Sequence, residues 1–267
     1  VQQRSGAHGY RSGWYAKSGG TVQPLSYTRG LARTALSLGA QVYRHTHAES
    51  ITRSENRWRL HTDRGTITAE KILLCTNGYT DQLYPGLNKT IVPIIAVQSA
   101  TQPLTEEQQQ EILPERATFS DTRRIIYYFK KTADNRLVFG SVGTTDEAPG
   151  QPDHRRIQIG LKRLYPQFPG LEIAYIWGGR IGFTREHLPH LHQPAPGIIA
   201  GLGCNGRGIA ICSVMGRLLA ELAMGSSPGE MPLPVSPIKP YPLHRFHRTG
   251  IKLTVPWWGW LDRMESR

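Results

Sequence analysis

Eight residues, Gly201-Leu-Gly-Cys-Asn-Gly-Arg-Gly208, stand between an apolar run at 197–201 and a stretch at 207–224 whose Ile211, Val214, Met215, Leu218 and Leu222 share one helical stripe. The run lacks polar alternation and reads as a buried strand. Strand, glycine-rich tip and helix therefore follow one another. Four glycines in the tip let a ligand approach the backbone closely, and the unpaired N–H groups of a helix start favour negative charge. The segment points to an anion or a polar carbonyl at the start of the helix, with a purely structural glycine turn as the alternative. Gly201, Gly203 and Gly206 also match GxGxxG literally. That fingerprint needs a second strand ending in an acidic residue about 20 positions on. Here Glu221 lies inside the helix and the chain runs on into Pro228, Pro232 and Pro234, so the tip does not open a dinucleotide-binding βαβ unit.

The rest of the chain divides by pattern. Residues 28–38 form a short amphipathic helix through Leu31, Ala32, Ala35, Leu36 and Leu38, closed by Gly39. A strand is expected at 41–43. Three alternating runs, 48–53, 57–62 and 66–69, predict a β-meander. The run 71–75 (KILLC) is continuous and predicts a strand covered on both faces, with Thr76, Asn77, Gly78 and Tyr79 leaving its ligand-facing carboxyl end. From Pro93 onward, long β-rich segments at 93–101, 124–131, 136–142 and 171–183 predict an antiparallel sheet. Helices at 105–112 and 153–165 interrupt it. Beyond Pro228 the prolines are dense and no regular structure is expected, while the aromatic Val255-Pro-Trp-Trp-Gly-Trp260 is read as a tail packed on the body.

Composition narrows the partners. The 267 residues are 39% apolar before the 28 glycines are added, which suits a packed soluble protein. Three cysteines are too few for a disulfide framework and fit a reducing compartment; with no signal-like start and no long apolar run, the expected location is cytoplasmic. The net charge of +12 is scattered rather than striped and lacks interleaved aromatic platforms, so no nucleic-acid partner and no stable membrane insertion are expected. His187, His190 and His192 share no helix face, and no metal site is expected. No nucleophile elbow is present. Cys204 stands near a helix start, where thiol pKa values fall, but it is not read as catalytic.

Taken in order, Gly19-Gly-Thr-Val-Gln-Pro24, residues 29–42, Ile72-Leu-Leu-Cys-Thr-Asn-Gly78, residues 177–189 and the tip followed by Gly216-Arg-Leu-Leu-Ala-Glu221 resemble the FAD-dependent oxidase family of D-amino-acid, glycine, sarcosine and γ-glutamylputrescine oxidases. The resemblance spans roughly residues 10 to 225. It implies an α/β fold (α+β overall): part of an FAD-binding, glutathione-reductase-like α/β domain with an inserted antiparallel β-sheet substrate domain. The expected division is a strand-rich lead-in at 1–27, FAD-domain parts at 28–90 and 188–227, a substrate domain at 91–187 and a proline-rich tail at 228–267.

Carried over by position, the resemblance implies Ala48 beside the adenine, Thr76, Asn77 and Gly78 bordering the cofactor, and Gln23 and Pro24 near the ring. It implies backbone N–H groups from Gly206, Arg207, Gly208 and Ile209 facing the flavin, with Gly203 and Asn205 shaping the tip. Tyr127, Tyr128 and Arg180 are the candidates for the catalytic pocket. The implied chemistry is oxidation of the C–N bond of an amine or amino acid, with a γ-glutamylputrescine-like substrate as the finer expectation, dioxygen as acceptor and peroxide released. No cysteine falls within 177–184, where sarcosine-oxidase-like members tether flavin, so FAD is expected to be noncovalent. Arg207 stands where many members have His. The family's own GxGxxG unit is missing from the chain, which begins at Val1 and is therefore expected to be truncated. A non-catalytic fragment of the same fold and a basic nucleic-acid-binding module are the two rival readings.

Overall fold

The structure, a computed structural model, describes residues 1–143 and 154–265. Asp153, the first residue of the helix expected over 153–165, lies outside the described residues. Packing divides the chain into two units, one of Val1–Tyr27, Ile95–Gly179 and Arg248–Arg267, the other of Thr28–Ile94 and Arg180–His247.

The second unit carries the glycine tip. Its strands β1 (Ala48–Ser54), β2 (Arg57–Thr62) and β3 (Gly65–Ala69) form the expected antiparallel meander, with Arg53 opposite Trp58 and Trp58 opposite Ala69. A second sheet has the order β10 (His190–Ala195), β11 (Ile198–Leu202), β4 (Ile72–Leu74). The β4–β11 pair is parallel and sets Ile198, Ile199 and Ala200 beside Ile72, Leu73 and Leu74. Both faces of β11 are covered, which explains its unbroken apolar sequence. Ile198 and Ala200 pack with Ile72, Leu74, Leu87 and Ile91, while Ile199 packs against Met215, Leu218 and Leu222 of α5 (Gly208–Met224). The expectation that β4 is covered on both faces fails at its centre, where Leu73 is 38% exposed.

α2 (Pro24–Ser37) owes its start to local chemistry. Pro24 supplies the fixed φ suited to a first turn, and Gln23 Oε1 accepts the Ser26 amide at 2.6 Å. None of its residues is buried, so its amphipathic stripe has no covering layer among the described residues. The strand expected at 41–43 is irregular instead; among the described residues no ladder partner lies beside it.

The first unit is built on a sheet of order β6 (Phe119–Ser120), β7 (Tyr127–Lys131), β8 (Leu137–Val142), β5 (Val92–Thr101), β9 (Ile173–Phe183). The pairs β6–β7, β7–β8 and β8–β5 are antiparallel. The chain changes units within β5 and within β9. Phe119, Phe129 and Phe139 stack across three strands, with ring centroids 4.6 and 5.5 Å apart, and form the core with Leu137, Ile157 and Tyr165. Above it lie α3 (Glu106–Glu111), opened by a capping box from Thr105 to Gln108, and α4 (Arg155–Leu164).

Two sequence expectations are corrected at the ends. Residues 1–27 are not strand-rich: they hold α1 (Gln2–Ser5) and the first turn of α2. Lys130 Nζ donates to the Val22 carbonyl at 2.7 Å, so this lead-in is tied to β7 by a side chain rather than by a ladder. The tail is not irregular throughout, because His247–Glu265 forms α6 with Pro256 inside it. Asp262 fixes that helix, accepting the amides of Arg124 and Ile125 at 3.2 and 3.0 Å. The proline pattern obscured the helix because Pro256 carries no amide to donate, yet the tertiary anchor outweighs that local loss.

Candidate functional site

The residues expected at the site fall in both units. Gln23, Pro24, Tyr127 and Tyr128 belong to the first; Ala48, Thr76, Asn77, Gly78, Arg180, Gly203, Asn205, Gly206, Arg207, Gly208 and Ile209 belong to the second.

Within the second unit the structure gathers most of its candidates at the carboxyl ends of β4 and β11. Asn77, at the start of a 3₁₀ turn and with φ +42°, aims its side chain at the tip. Its Oδ1 accepts the amides of Gly203 at 3.0 Å and Cys204 at 3.3 Å, while Nδ2 donates to Cys204 Sγ at 3.1 Å. Asn205 completes the brace. Its amide donates to the Gly182 carbonyl at 3.1 Å, its Nδ2 to the Gly203 carbonyl at 2.7 Å, and its Oδ1 accepts the Thr184 amide at 2.9 Å. Gly78 is buried against the Arg180 backbone. Thr76 shares a hydroxyl pair with Thr80 at 2.7 Å.

The tip itself turns through Asn205 at φ +50° and Gly206 at φ +82°, the left-handed region where a side chain at Gly206 would be strained. Arg207 is the N-cap of α5 and its side chain makes no capping bond. The first intrahelical bond runs from the Ile211 amide to the Arg207 carbonyl. Gly208, Ile209 and Ala210 therefore have no intrahelical acceptor, and among the described residues their amides donate to nothing. Three N–H groups at the start of a 17-residue helix, beside Gly206 and Gly208, where an added Cβ would meet its nearest atom at 3.9 Å, can receive an anionic or carbonyl edge. The residues present thus fit the flavin edge that the resemblance implies.

Cys204 is the residue whose environment the sequence under-read. Only 6% exposed, it accepts hydrogen bonds from the Cys212 thiol, from Asn77 and from the backbone N–H groups of Gly206 and Gly182, and these hold its thiol well below the usual range against the opposing effect of burial. Nearness to a helix start had hinted at this. The donors are chiefly side chains and loop amides, which spacing alone does not bring together.

The remaining candidates occupy other settings. Arg180, exposed on β9, lies with its guanidinium carbon 5.6 Å from the Tyr79 ring centroid, and its amide donates to Tyr79 Oη at 3.2 Å. Ala48 opens β1 opposite Thr62 and is half-buried. Gln23 is engaged as a helix cap. Tyr127 and Tyr128 are not brought together, because adjacent strand residues face opposite sides of a sheet. Tyr127 lies in the core against Phe139. Tyr128 lies on the other face across Gly140, where an added Cβ would stand 2.2 Å from its ring; burial pushes its hydroxyl up to about 12.

Among the described residues no group of three or more His, Cys, Asp or Glu side chains is arranged to hold a metal ion, and no helix is long and apolar enough to cross a membrane. His190 pairs with Glu186 at 3.2 Å, and His192 is buried.

This combination of a parallel β4–β11 pair ending in a glycine tip and an antiparallel sheet unit defines the flavin-oxidoreductase class of mixed α/β folds. The sequence model of the family FAD dependent oxidoreductase matches residues 1–222, and the chain belongs to that family. It is 33% identical over 263 residues to a probable oxidoreductase OrdL of Rhizobium meliloti, covering 97% of this chain and 60% of the relative. It is 28% identical over 212 residues to the gamma-glutamylputrescine oxidoreductase of Escherichia coli, covering 79% of this chain and 49% of that one. The chain thus spans about half to three-fifths of the length of these curated relatives. Among solved structures, glycine oxidase from Geobacillus kaustophilus superposes with a TM-score of 0.62 at 22% identity, over 74% of this chain and 53% of the other. L-proline dehydrogenase from P. horikoshii gives 0.65 at 19% identity, over 79% and 57%. At these identities the structures support the fold alone.

Proposed function

We propose that this chain supplies the flavin-edge seat and part of the substrate-binding layer of an amine or amino-acid oxidoreductase that holds FAD noncovalently. The observation that carries the reading is the set of unbonded amides of Gly208, Ile209 and Ala210 at the start of α5. Held at its polar edge by the Gly208, Ile209 and Ala210 amides, a bound FAD would supply the hydride acceptor for oxidation of the carbon that bears nitrogen. The chain's own residues prepare the place for it. Asn77 and Asn205 fix the tip from both sides, so the three amides point one way before anything binds. Gly206 and Gly208 keep side chains out of that approach. Arg207, with no capping bond, leaves a cation beside the seat where negative charge is favoured.

The similarity to a gamma-glutamylputrescine oxidoreductase supports an amine or amino acid as substrate, and the finer reading is a γ-glutamylated polyamine. Dioxygen is the proposed electron acceptor. We propose no nucleic-acid partner, and a cytoplasmic location, which the three free thiols favour. Of the pocket candidates, Arg180, which shares the second unit with the tip, is retained for substrate contact, while Tyr127 is committed to the core of the first unit.

Titrating FAD against the purified chain and following flavin fluorescence tests the seat. Quenching in the wild type, weakened at least about tenfold in apparent Kd by Gly206→Val or Gly208→Val, is the expected result; a tenfold loss corresponds to about 1.4 kcal/mol. Flavin released intact by acid precipitation would agree with noncovalent binding. Unchanged fluorescence at high protein concentration would overturn the reading.

A further inference from the structure

All three cysteines of the chain, Cys75 and the neighbouring Cys204 and Cys212 far beyond it, line one small cavity of the second unit. Cys75 leaves β4, Cys204 sits in the tip and Cys212 lies one turn into α5; Asn77, Met215 and Leu219 complete much of the wall, and the cavity has a volume of about 120 Å³. Cys212 lines the same cavity as Cys204, eight positions further along the chain. Asn77 Nδ2 reaches Cys204 Sγ at 3.1 Å, and the N–H groups of Gly206 and Gly182 add two further donors. No charged side chain lines the cavity among the described residues. The flavin reading uses none of these sulfurs.

We infer that Cys204 and Cys212 form a peroxide-reactive dithiol, with Cys204 as the attacking sulfur and Cys212 as the resolving one. The Asn77 donor 3.1 Å from Cys204 Sγ favours a thiolate there, which is the nucleophilic form. A second thiol in the same small cavity leaves only a short path to closing the bond. Cys212 is exposed and Cys204 is buried, so a small oxidant reaches the attacking sulfur through the cavity that both line.

The steps balance. The Cys204 thiolate attacks one oxygen of hydrogen peroxide; the S–O bond forms, the O–O bond breaks, and the departing hydroxide combines with the proton that Cys204 released to give water. Sulfur is oxidised and peroxide reduced by two electrons. Cys212 then attacks the sulfenic sulfur; the S–S bond forms, the S–O bond breaks, and the leaving hydroxide takes the Cys212 proton to give the second water. Two thiols and one peroxide become one disulfide and two waters.

Trypsin separates the three cysteines onto peptides 72–89, 186–207 and 208–217, so the bond can be located directly. After brief treatment of the purified, air-protected chain with hydrogen peroxide, mass spectrometry without reduction is expected to find 186–207 joined to 208–217. Free thiols should fall from three to one, and dithiothreitol should restore them. Cys204 should react about tenfold faster than Cys75, because its larger thiolate fraction is partly offset by lower intrinsic nucleophilicity. In Cys212→Ala, dimedone should label Cys204. Links involving Cys75 at equal yield, no link at all, or the same link pattern in urea-unfolded chain would each overturn the inference. Because peroxide is added, the result does not depend on flavin binding.

Discussion

The side-chain oxygen of Asn77 stands 3.0 Å from the amide nitrogen of Gly203, joining the loop after β4 to the glycine tip 126 residues further along the chain. One amide side chain there holds two backbone donors and supplies a third bond to sulfur, so the loop and the tip behave as one piece.

Replacing Asn77 with Ala strands the Gly203 and Cys204 amides. A loss of about 1–3 kcal/mol is expected. Thermal unfolding of Asn77→Ala should begin several degrees earlier; a superimposable melting curve would contradict the brace. Asn77→Asp keeps the acceptor but loses the donor to sulfur and adds a negative charge, so the Cys204 thiol should titrate higher in pH-dependent alkylation.

Gly140 and Tyr128 are matched across β7 and β8. Gly140→Ala places a methyl within 2.2 Å of the Tyr128 ring, and overpacking of this kind costs about 1–3 kcal/mol. In a Tyr128→Ala background most of that cost should vanish. Denaturant unfolding of both single variants and the double variant measures the coupling, and simple additivity would refute the contact.

His192 is buried, with Nδ1 2.8 Å from the Ser236 carbonyl and Nε2 without a partner among the described residues. Burial depresses its pKa below the usual 6.5, opposed by the Ser236 bond and assisted by His190. Below 6.5 the unfolded chain therefore takes up a proton before the folded one. The stability of the neutral folded form is complete above that value and is lost as pH falls from it through the folded pKa. His192→Gln keeps an amide donor for Ser236 without titrating, and its stability should fall less steeply below pH 6.5, by up to about 1.4 kcal/mol per pH unit. Identical slopes from denaturation at several pH values would rule this out.

Asp262 anchors α6 through two backbone amides and the Arg124 guanidinium at 3.2 Å. Its carboxylate is 9% exposed while Arg124 is 37% exposed, so solvent weakens the ionic part and the amide bonds dominate. Asp262→Ala should destabilise the protein by about 1–3 kcal/mol. Hydrogen exchange across 247–265 should rise with it; unchanged protection would mean that the helix is held by Val255 and its neighbours instead.

The sequence by itself determined the meander at 48–69, the apolar run of β11, the helix α5 and the glycine tip between them, because each rests on local periodicity or on glycine at a turn. The order of those pieces also sufficed for the family. What only the tertiary structure decided were relationships with no local cause. Asn77 meets Gly203 because β4 and β11 run parallel. Tyr127 and Tyr128 separate because the core lies on one side of β7. Residues 247–265 become a helix because Asp262 finds two amides on a distant loop, a bond no window around Pro256 contains. Cys75 joins Cys204 and Cys212 for the same reason: side chains distant in sequence become neighbours by strand pairing and helix docking, which local pattern does not encode.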